Sequence, residues 1–125
     1  MRALIAFAAV AILAGVIPAA GDAPDFNTYF VDETLRVDYY HVGHATEELV
    51  TLDKVYRQGI WAGSRKHLID PFNTGNYYVK VYDAASGLLI YSKGFDSYFG
   101  EYKTTGPAGE GVRRTYHETA LFPCP

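Results

Sequence analysis

The stretch YYVKVYDAASGLLIYSKGF, from Tyr77 to Phe95, decides the fold class of this chain. Its first part, Tyr77–Tyr82, alternates an apolar series of side chains with a more polar series, which is typical of a half-buried strand. Its second part, Leu88–Phe95, is rich in Leu, Ile, Tyr and Phe. The intervening Asp83–Gly87 is a turn cluster of 5 residues that ends in glycine. The stretch therefore predicts an antiparallel β-hairpin.

The same strand periodicity extends outward from this hairpin. Thr34–Val42 has one apolar and one more polar face, and Leu49–Tyr56 and Val112–Phe122 are further candidate strands. No segment after the N-terminal region shows a helical period, so we expect at most a turn or two of helix, near Asp25–Phe30 or Glu47–Leu52. Short strands separated by Gly- and Pro-containing turns predict an all-β chain, an antiparallel β-sandwich of about seven to eight short strands.

The N-terminal region has the form of a secretory signal. Met1 and Arg2 precede an uncharged run of 15 residues, Ala3 to Ile17, and small residues follow it. The run is shorter than the roughly 20 residues that span a bilayer. We therefore expect residues 1–23 to be a signal peptide and residues 24–125 to be an exported domain, periplasmic or secreted, with no stable membrane span after cleavage. An uncleaved N-terminal anchor is the alternative.

Composition limits the remaining possibilities. The chain has 125 residues, enough for one domain, and a formal net charge of -3. It has no run of Lys and Arg, so nucleic acid is not an expected partner. Its single cysteine, Cys124, excludes an internal disulfide and a Cys-based zinc ribbon. The 11 Tyr, 7 Phe and 1 Trp are the obvious supply of core side chains.

Motifs for catalysis are incomplete. A zinc-protease helix needs a second histidine four residues after the first, but the fourth residue after His117 is Leu121. His41 and His44 have the separation of a metal pair, yet two ligands are only half of a zinc shell. Hydrogen-bonded histidines in a turn are the simpler interpretation of that pair. No serine lies in a G-x-S-x-G elbow. We therefore predict no catalytic residues, no metal ligands and no cofactor.

Aromatic side chains are the remaining candidates for a binding surface. Aromatic faces bind sugars and peptides at a low cost in conformational entropy. An exposed platform for such a ligand could be formed by Trp61, Tyr78, Tyr82, Tyr98 and Tyr102. The alternative is that most of these side chains fill the core and its rims, which a domain without disulfides needs.

Four longer strings carry a resemblance to a known family. They are FVDETLRVDYYHVGHATEE (Phe30–Glu48), IWAGSRKHLIDPFNTGNYYVKVYD (Ile60–Asp83), LIYSKGFDSYFGEYKTT (Leu89–Thr105) and RTYHETALFP (Arg114–Pro123). In this order they resemble the N-terminal domain of the M64 peptidases, a family named for an IgA-cleaving zinc endopeptidase. The resemblance covers nearly all of the chain after the predicted signal peptide.

The resemblance implies a β-sandwich that precedes a separate zinc-peptidase domain, and the family's H-E-x-x-H motif belongs to that second domain. No residue here matches the motif, so the chain is expected not to be an enzyme. It is expected to be a truncated relative or a free-standing copy of the accessory domain. In either case it would scaffold or position a metallopeptidase domain, which is part of the same chain in relatives. The alternative is a secreted glycan- or peptide-binding module that uses the aromatic set.

Overall fold

The structure is a computed structural model that describes the backbone of residues 3–6 and the whole of residues 23–72 and 74–125. It contains six strands and three short helices. In chain order they are β1 (Ala3–Ala6), α1 (Phe26–Tyr29), β2 (Thr34–His44), β3 (Glu47–Arg57), β4 (Tyr77–Tyr82), β5 (Leu89–Phe95), α2 (Tyr98–Tyr102), α3 (Gly106–Gly109) and β6 (Arg114–Pro123).

The strands from β2 onward form two antiparallel sheets. One sheet has the order β3-β2-β6, with β2 in the centre, and the other is the β4-β5 hairpin. β1 pairs in parallel with the outer edge of β4. β1 lies within the predicted signal peptide, and residues 1, 2 and 7–22 of that peptide lie outside the described residues. The structure is mostly β, with 44% of it in strands, and the prediction of an all-β chain is confirmed at that level.

Both sheets contribute to one hydrophobic core. Val37 and Tyr39 of β2 pack with Tyr77 and Val79 of β4, and Ile90 of β5 is 1% exposed. Inward positions alternate along β2 and along β4, as expected for side chains with a period of two. The core therefore lies between the two sheets. In the described residues, no helix is long and apolar enough to cross a membrane.

The predicted strands agree with the structure to within a few residues at each end. The helical turn expected near Asp25–Phe30 is α1, whose start is capped by Asp25. The turn expected near Glu47–Leu52 is wrong, because that segment is the first half of β3. The sequence also predicted more strands than the five that the two antiparallel sheets contain in the described residues, so the sandwich of seven to eight strands is not confirmed.

The outer face of the β4-β5 hairpin is covered where the sequence predicted exposure. The carbonyl oxygen of Thr74 accepts a hydrogen bond from the Tyr78 hydroxyl at 3.3 Å. The same oxygen lies so close to Gly94 that a Cβ atom added to this glycine would be 2.0 Å from it. Tyr78 is consequently 6% exposed. The prediction that Tyr78 faces water is therefore wrong, because the chain around Thr74 crosses this face.

Replacing Ile90 by Ala is expected to lower the free energy of unfolding by roughly 2–4 kcal/mol, because the side chain is fully buried and the substitution leaves a cavity. Tyr82, at the far end of the same hairpin, is 47% exposed, and Tyr82→Ala is expected to cost less than about 1 kcal/mol. Urea unfolding of both variants measures the difference. Equal losses would contradict this assignment of core and surface.

Candidate functional site

A histidine lies at the centre of the three-stranded sheet. His41 is on β2, the middle strand, and continues the inward-facing series of Val37 and Tyr39. The ring has no exposed surface, at 0% relative exposure, because Phe99 stacks on it and Tyr77 meets it edge-on. A buried imidazole needs hydrogen-bond partners for both of its nitrogens.

Both ring nitrogens of His41 contact a carboxylate. Nδ1 lies 3.0 Å from Oε2 of Glu118, on β6, and Nε2 lies 2.5 Å from Oε1 of Glu48, on β3. The other oxygen of Glu48 accepts a hydrogen bond from Nζ of Lys103 at 2.6 Å. The four side chains form a network that crosses all three strands of the sheet, and we call it the His41 network.

A glycine makes this arrangement of β2 and β3 possible. Gly43 is opposite Glu48 in the ladder and has φ of 149°, in the region that side chains rarely adopt. A Cβ on Gly43 would lie 2.0 Å from the carbonyl oxygen of Glu47. The tight connection that brings Glu48 back beside His41 therefore requires glycine at this position.

The two carboxylates of the network are ionised at neutral pH. Burial raises the pKa of Glu48, but hydrogen bonds from Lys103 and His41 outweigh it, so the pKa lies below the ordinary value of 4.5. Burial likewise opposes ionisation of Glu118, and the hydrogen bond and charge of His41 bring the pKa of this group below 4.5 as well. An ionised carboxylate can only accept hydrogen bonds.

The contacts of His41 set a condition on its ring. Because both neighbours are acceptors, both contacts are hydrogen bonds only where both ring nitrogens donate. His41 and Lys103 then supply two positive charges against the two negative charges of Glu48 and Glu118. The His41 network is then electrically neutral as a whole, and the attraction between its charges offsets part of the cost of burying them.

Aromatic rings enclose the network and connect it to α2. Phe99, 0% exposed, stacks on the His41 ring with centroids 4.1 Å apart, and Tyr77 meets it edge-on at 5.2 Å. The backbone N–H of Phe99 donates to Oε1 of Glu118 at 3.4 Å. Burial and the charge of Glu118 raise the pKa of Tyr39, and burial and Glu48 raise that of Tyr77. These two phenols are therefore neutral hydrogen-bonding groups.

The other histidines do not join His41. Nε2 of His44 lies 3.1 Å from Oε2 of Glu47, and Nε2 of His117 lies 3.1 Å from Oδ2 of Asp53. The pair His41 and His44, whose spacing suggested metal ligands, is thus separated into two different carboxylate contacts. In residues 23–72 and 74–125, no group of three or more His, Cys, Asp or Glu side chains is arranged to hold a metal ion.

The five aromatic candidates do not form one surface. Tyr78 and Tyr102 are buried, and the Tyr102 hydroxyl donates to the carbonyl of Val112 at 2.5 Å. Trp61 is half-buried, with its ring edge-on to Tyr91. Tyr82 and Tyr98 are exposed, but Tyr82 lies at the turn end of the β4-β5 hairpin and Tyr98 begins α2, after the hairpin's other end. A role in binding stays a prediction for the exposed members, and the platform of five is not present.

A cleft of about 530 Å³ lies beside the His41 network. It opens between β6 and the segment that connects β5 to α2. Its floor contains Tyr39 and Glu118, and its mouth contains Asp96, Tyr98 and Glu101. Tyr98 is the one member of the predicted aromatic set among the residues that line it.

Sequence reasoning overlooked the carboxylates that matter here. Glu118 stands in the inward series Tyr116, Glu118, Ala120 and Phe122, where every other member is aromatic or apolar. A charged residue in such a series has to find a partner inside the protein. The charged residue in the inward series of β6 was therefore visible in the sequence. Its counterpart is His41, the polar member of the inward series on β2.

These features define a small, mostly β domain with a buried ionic network and an acidic cleft. Comparison with protein families makes the assignment specific: the family described as Peptidase M64 N-terminus matches residues 25–125. The chain therefore belongs to the family of M64 peptidase N-terminal domains, as the resemblance predicted. A search of curated proteins found no match to the chain.

Glu118→Gln tests the His41 network. The change leaves His41 without one of its buried charge partners, and we expect a loss of about 3 kcal/mol in unfolding free energy at neutral pH. Because the folded-state pKa values of Glu48 and Glu118 lie below 4.5, their contribution is present above that value and lost as the pH falls below it. The difference between the wild-type chain and Glu118→Gln should therefore shrink in acid.

The matched control is Glu110→Gln, which removes a carboxylate from an exposed position. Its unfolding free energy should stay within about 0.5 kcal/mol of the wild-type value at every pH. Urea unfolding from neutral pH down to about pH 3 gives both comparisons. A Glu118→Gln variant as stable as the control at neutral pH would contradict the proposed network.

Proposed function

We propose that this chain is a non-catalytic accessory domain that positions the zinc-peptidase domain of an M64 peptidase. The observation that carries the proposal is the family match over residues 25–125, which covers the whole domain. The incomplete zinc motif at His117 agrees with it, because β6 places this histidine on a strand beside Asp53 rather than on a metal-binding helix.

The third strand of the larger sheet supplies a surface for such a domain. Among the residues that the structure describes, β3 pairs with β2 alone, so its other edge carries backbone groups unpaired within that part of the chain. Its apolar side chains are exposed on both faces: Leu49 is 56% exposed, Leu52 57% and Val55 50%. Exposed apolar residues along an open strand edge favour association with another protein surface. We propose that the peptidase domain covers this edge.

Binding of a separately expressed M64 zinc-peptidase domain from the same source tests the proposal. We expect Leu52→Lys to weaken binding by about tenfold or more, because the charge would have to be buried in the interface. Val112→Lys is the matched control. Val112 is exposed by 47% but lies outside β3, and its variant should bind as the wild-type chain does. Isothermal titration calorimetry measures both.

Absence of binding by the wild-type chain would contradict the accessory role. Equal weakening by Leu52→Lys and Val112→Lys would contradict the choice of β3 as the contact surface. Unfolding measurements on both variants are needed beside the titrations. Because both positions are exposed, each substitution should change stability by no more than about 0.5 kcal/mol.

The proposal includes export and a lack of activity. The apolar run Ala3–Ile17 and the small residues after it support cleavage after one of the residues Ala19 to Ala23. N-terminal sequencing of the exported product checks this, and a product that begins at Met1 would contradict it.

The purified chain is also expected to hold no stoichiometric zinc and to hydrolyse no peptide. Elemental analysis that finds one tightly held zinc per chain would contradict that expectation.

The alternative of a glycan-binding platform has lost part of its support. Two of the five aromatic residues on which it depended, Tyr78 and Tyr102, are buried. Of the remaining exposed tyrosines, Tyr82 lies at the turn end of the hairpin and Tyr98 on α2, beyond the hairpin's other end.

A further inference from the structure

The outer edge of β6 carries backbone groups that no strand of the described chain pairs. β6 is a border strand of the larger sheet, and its ladder partner within the described residues is β2. No loop or turn in that part of the chain makes a backbone hydrogen bond to residues 115–122. An unpaired strand edge is a template for the addition of another strand.

The pairing of β2 shows which backbone groups of β6 point outward. The N–H of Thr34 donates to the carbonyl of Gly59, and the carbonyl of Thr34 accepts from the N–H of Gln58, so both groups point toward the β3 side. Backbone groups of successive strand residues point to opposite edges, so alternate residues of β2 from Leu35 onward point toward β6. Their ladder partners are the even-numbered residues of β6. The outward groups therefore belong to Thr115, His117, Thr119 and Leu121.

Two cavities lie along this outward edge. The cleft of about 530 Å³ is lined by residues 117–119 of β6, and a second cavity of about 170 Å³ is lined by residues 119–121. Successive side chains of a strand point to opposite faces, so a cavity lined by three residues in a row faces the edge of the strand. Both cavities include Phe95 and Thr119, which makes them neighbours along β6.

The second sheet forms the other wall of both cavities. Lys93 and Phe95 of β5 line the smaller cavity, and Phe95 and residues 96–98 line the larger one. The outward edge of β6 thus lies in a groove rather than on a flat border. A groove of this kind admits a single extended chain more readily than the edge strand of a second folded domain.

We propose that β6 binds an extended polypeptide segment as an added strand. The backbone of the segment would exchange hydrogen bonds with His117, Thr119 and Leu121. Its side chains at positions i and i+2 point to one face, about 7 Å apart, and would enter the two neighbouring cavities. Backbone hydrogen bonds then supply affinity, and the cavities supply specificity for alternate side chains.

The linings of the cavities define the segment that fits. The smaller cavity contains apolar side chains such as Val79, Phe95 and Ala120, so it suits an apolar residue. The larger cavity contains the carboxylates of Asp96 and Glu101, so it disfavours an acidic residue. The expected partner is therefore an extended segment with alternating apolar residues and no acidic residue among them.

This proposal does not depend on the peptidase domain, so the chain alone is sufficient to test it. The probe is the peptide Ac-Lys-Thr-Val-Thr-Val-Thr-Lys-amide, whose two valines share one face when it is extended. We expect it to slow the hydrogen exchange of the amides of His117, Thr119 and Leu121, measured by NMR. The amides of residues 116, 118 and 120 already pair with β2 and should change much less.

Two N-methylated probes test whether the peptide backbone carries the binding. A methyl group on the nitrogen removes the N–H donor and leaves the side chain unchanged. In an added strand only alternate N–H groups face β6. One probe is methylated at both valines and the other at two threonines. One of them should lose about tenfold or more in affinity, and the other should bind as the parent peptide does.

Two variants of the chain locate the edge that is used. Leu121→Pro removes an outward N–H, and a border strand tolerates proline where the N–H points away from the sheet. We expect it to weaken binding by about tenfold, while Leu121→Val, which keeps the N–H, should bind as the wild-type chain does. Urea unfolding checks that both variants fold. If Leu121→Pro does not fold, the N-methylated probes decide the question.

Several results would overturn the proposal: no slowing of exchange by the probe, slowing that is not confined to the alternate amides, or equal affinity of the two N-methylated probes. Equal binding of a probe with glutamate in place of both valines would overturn the assignment of the cavities. Sedimentation of the free chain supplies one more arm. A dimer in which the same three amides are already protected would assign the edge to a second copy and overturn the peptide assignment.

Discussion

The contacts of His41 with Glu48 on one side and Glu118 on the other are the interaction on which the larger sheet depends. An imidazole with no exposed surface is costly to bury unless both nitrogens are satisfied, and here one carboxylate from each neighbouring strand satisfies one nitrogen. Shifting β3 or β6 by one residue would move Glu48 or Glu118 to the opposite face of the sheet. The network therefore penalises every such misalignment, in addition to the stability that it contributes.

The same network fixes the position of α2. Lys103, which caps the end of that helix, binds Glu48, and the backbone of Phe99 binds Glu118, so both ends of a five-residue helix are attached to the sheet. A helix this short has little stability of its own. Tyr98 and Glu101, at the mouth of the cleft, are consequently held by contacts that begin at His41. The cleft and the buried network form one structural unit.

The strands were predictable because their side chains alternate and their turns carry glycine. The hairpin Tyr77–Phe95 has both signals, and its turn is closed in the structure by hydrogen bonds from Ser86 to Asp83. The burial of Tyr78 was not predictable in this way. It depends on the chain near Thr74 crossing the outer face of the hairpin, a contact between segments whose approach no local pattern encodes.

The candidate site was only partly predictable for a related reason. The sequence drew attention to His41 and His117, but it did not show which carboxylates these two histidines meet. In the fold, His41 pairs with Glu118, 77 residues away, while His117 faces the other side of β6 and meets Asp53. Which of these side chains meet depends on which residues of each strand point inward. That is set by the pairing of the strands in the assembled sheet.

The central claim is that both ring nitrogens of His41 donate a hydrogen bond to a carboxylate, and nitrogen NMR of the four histidine rings tests it most directly. At neutral pH the account predicts that both ring nitrogens of His41 carry a slowly exchanging proton and have the chemical shifts of an imidazolium. The signals are assigned by their loss in His41→Asn. A His41 ring with one unprotonated nitrogen at neutral pH would contradict the account, because one of the two carboxylate contacts would then lack its proton.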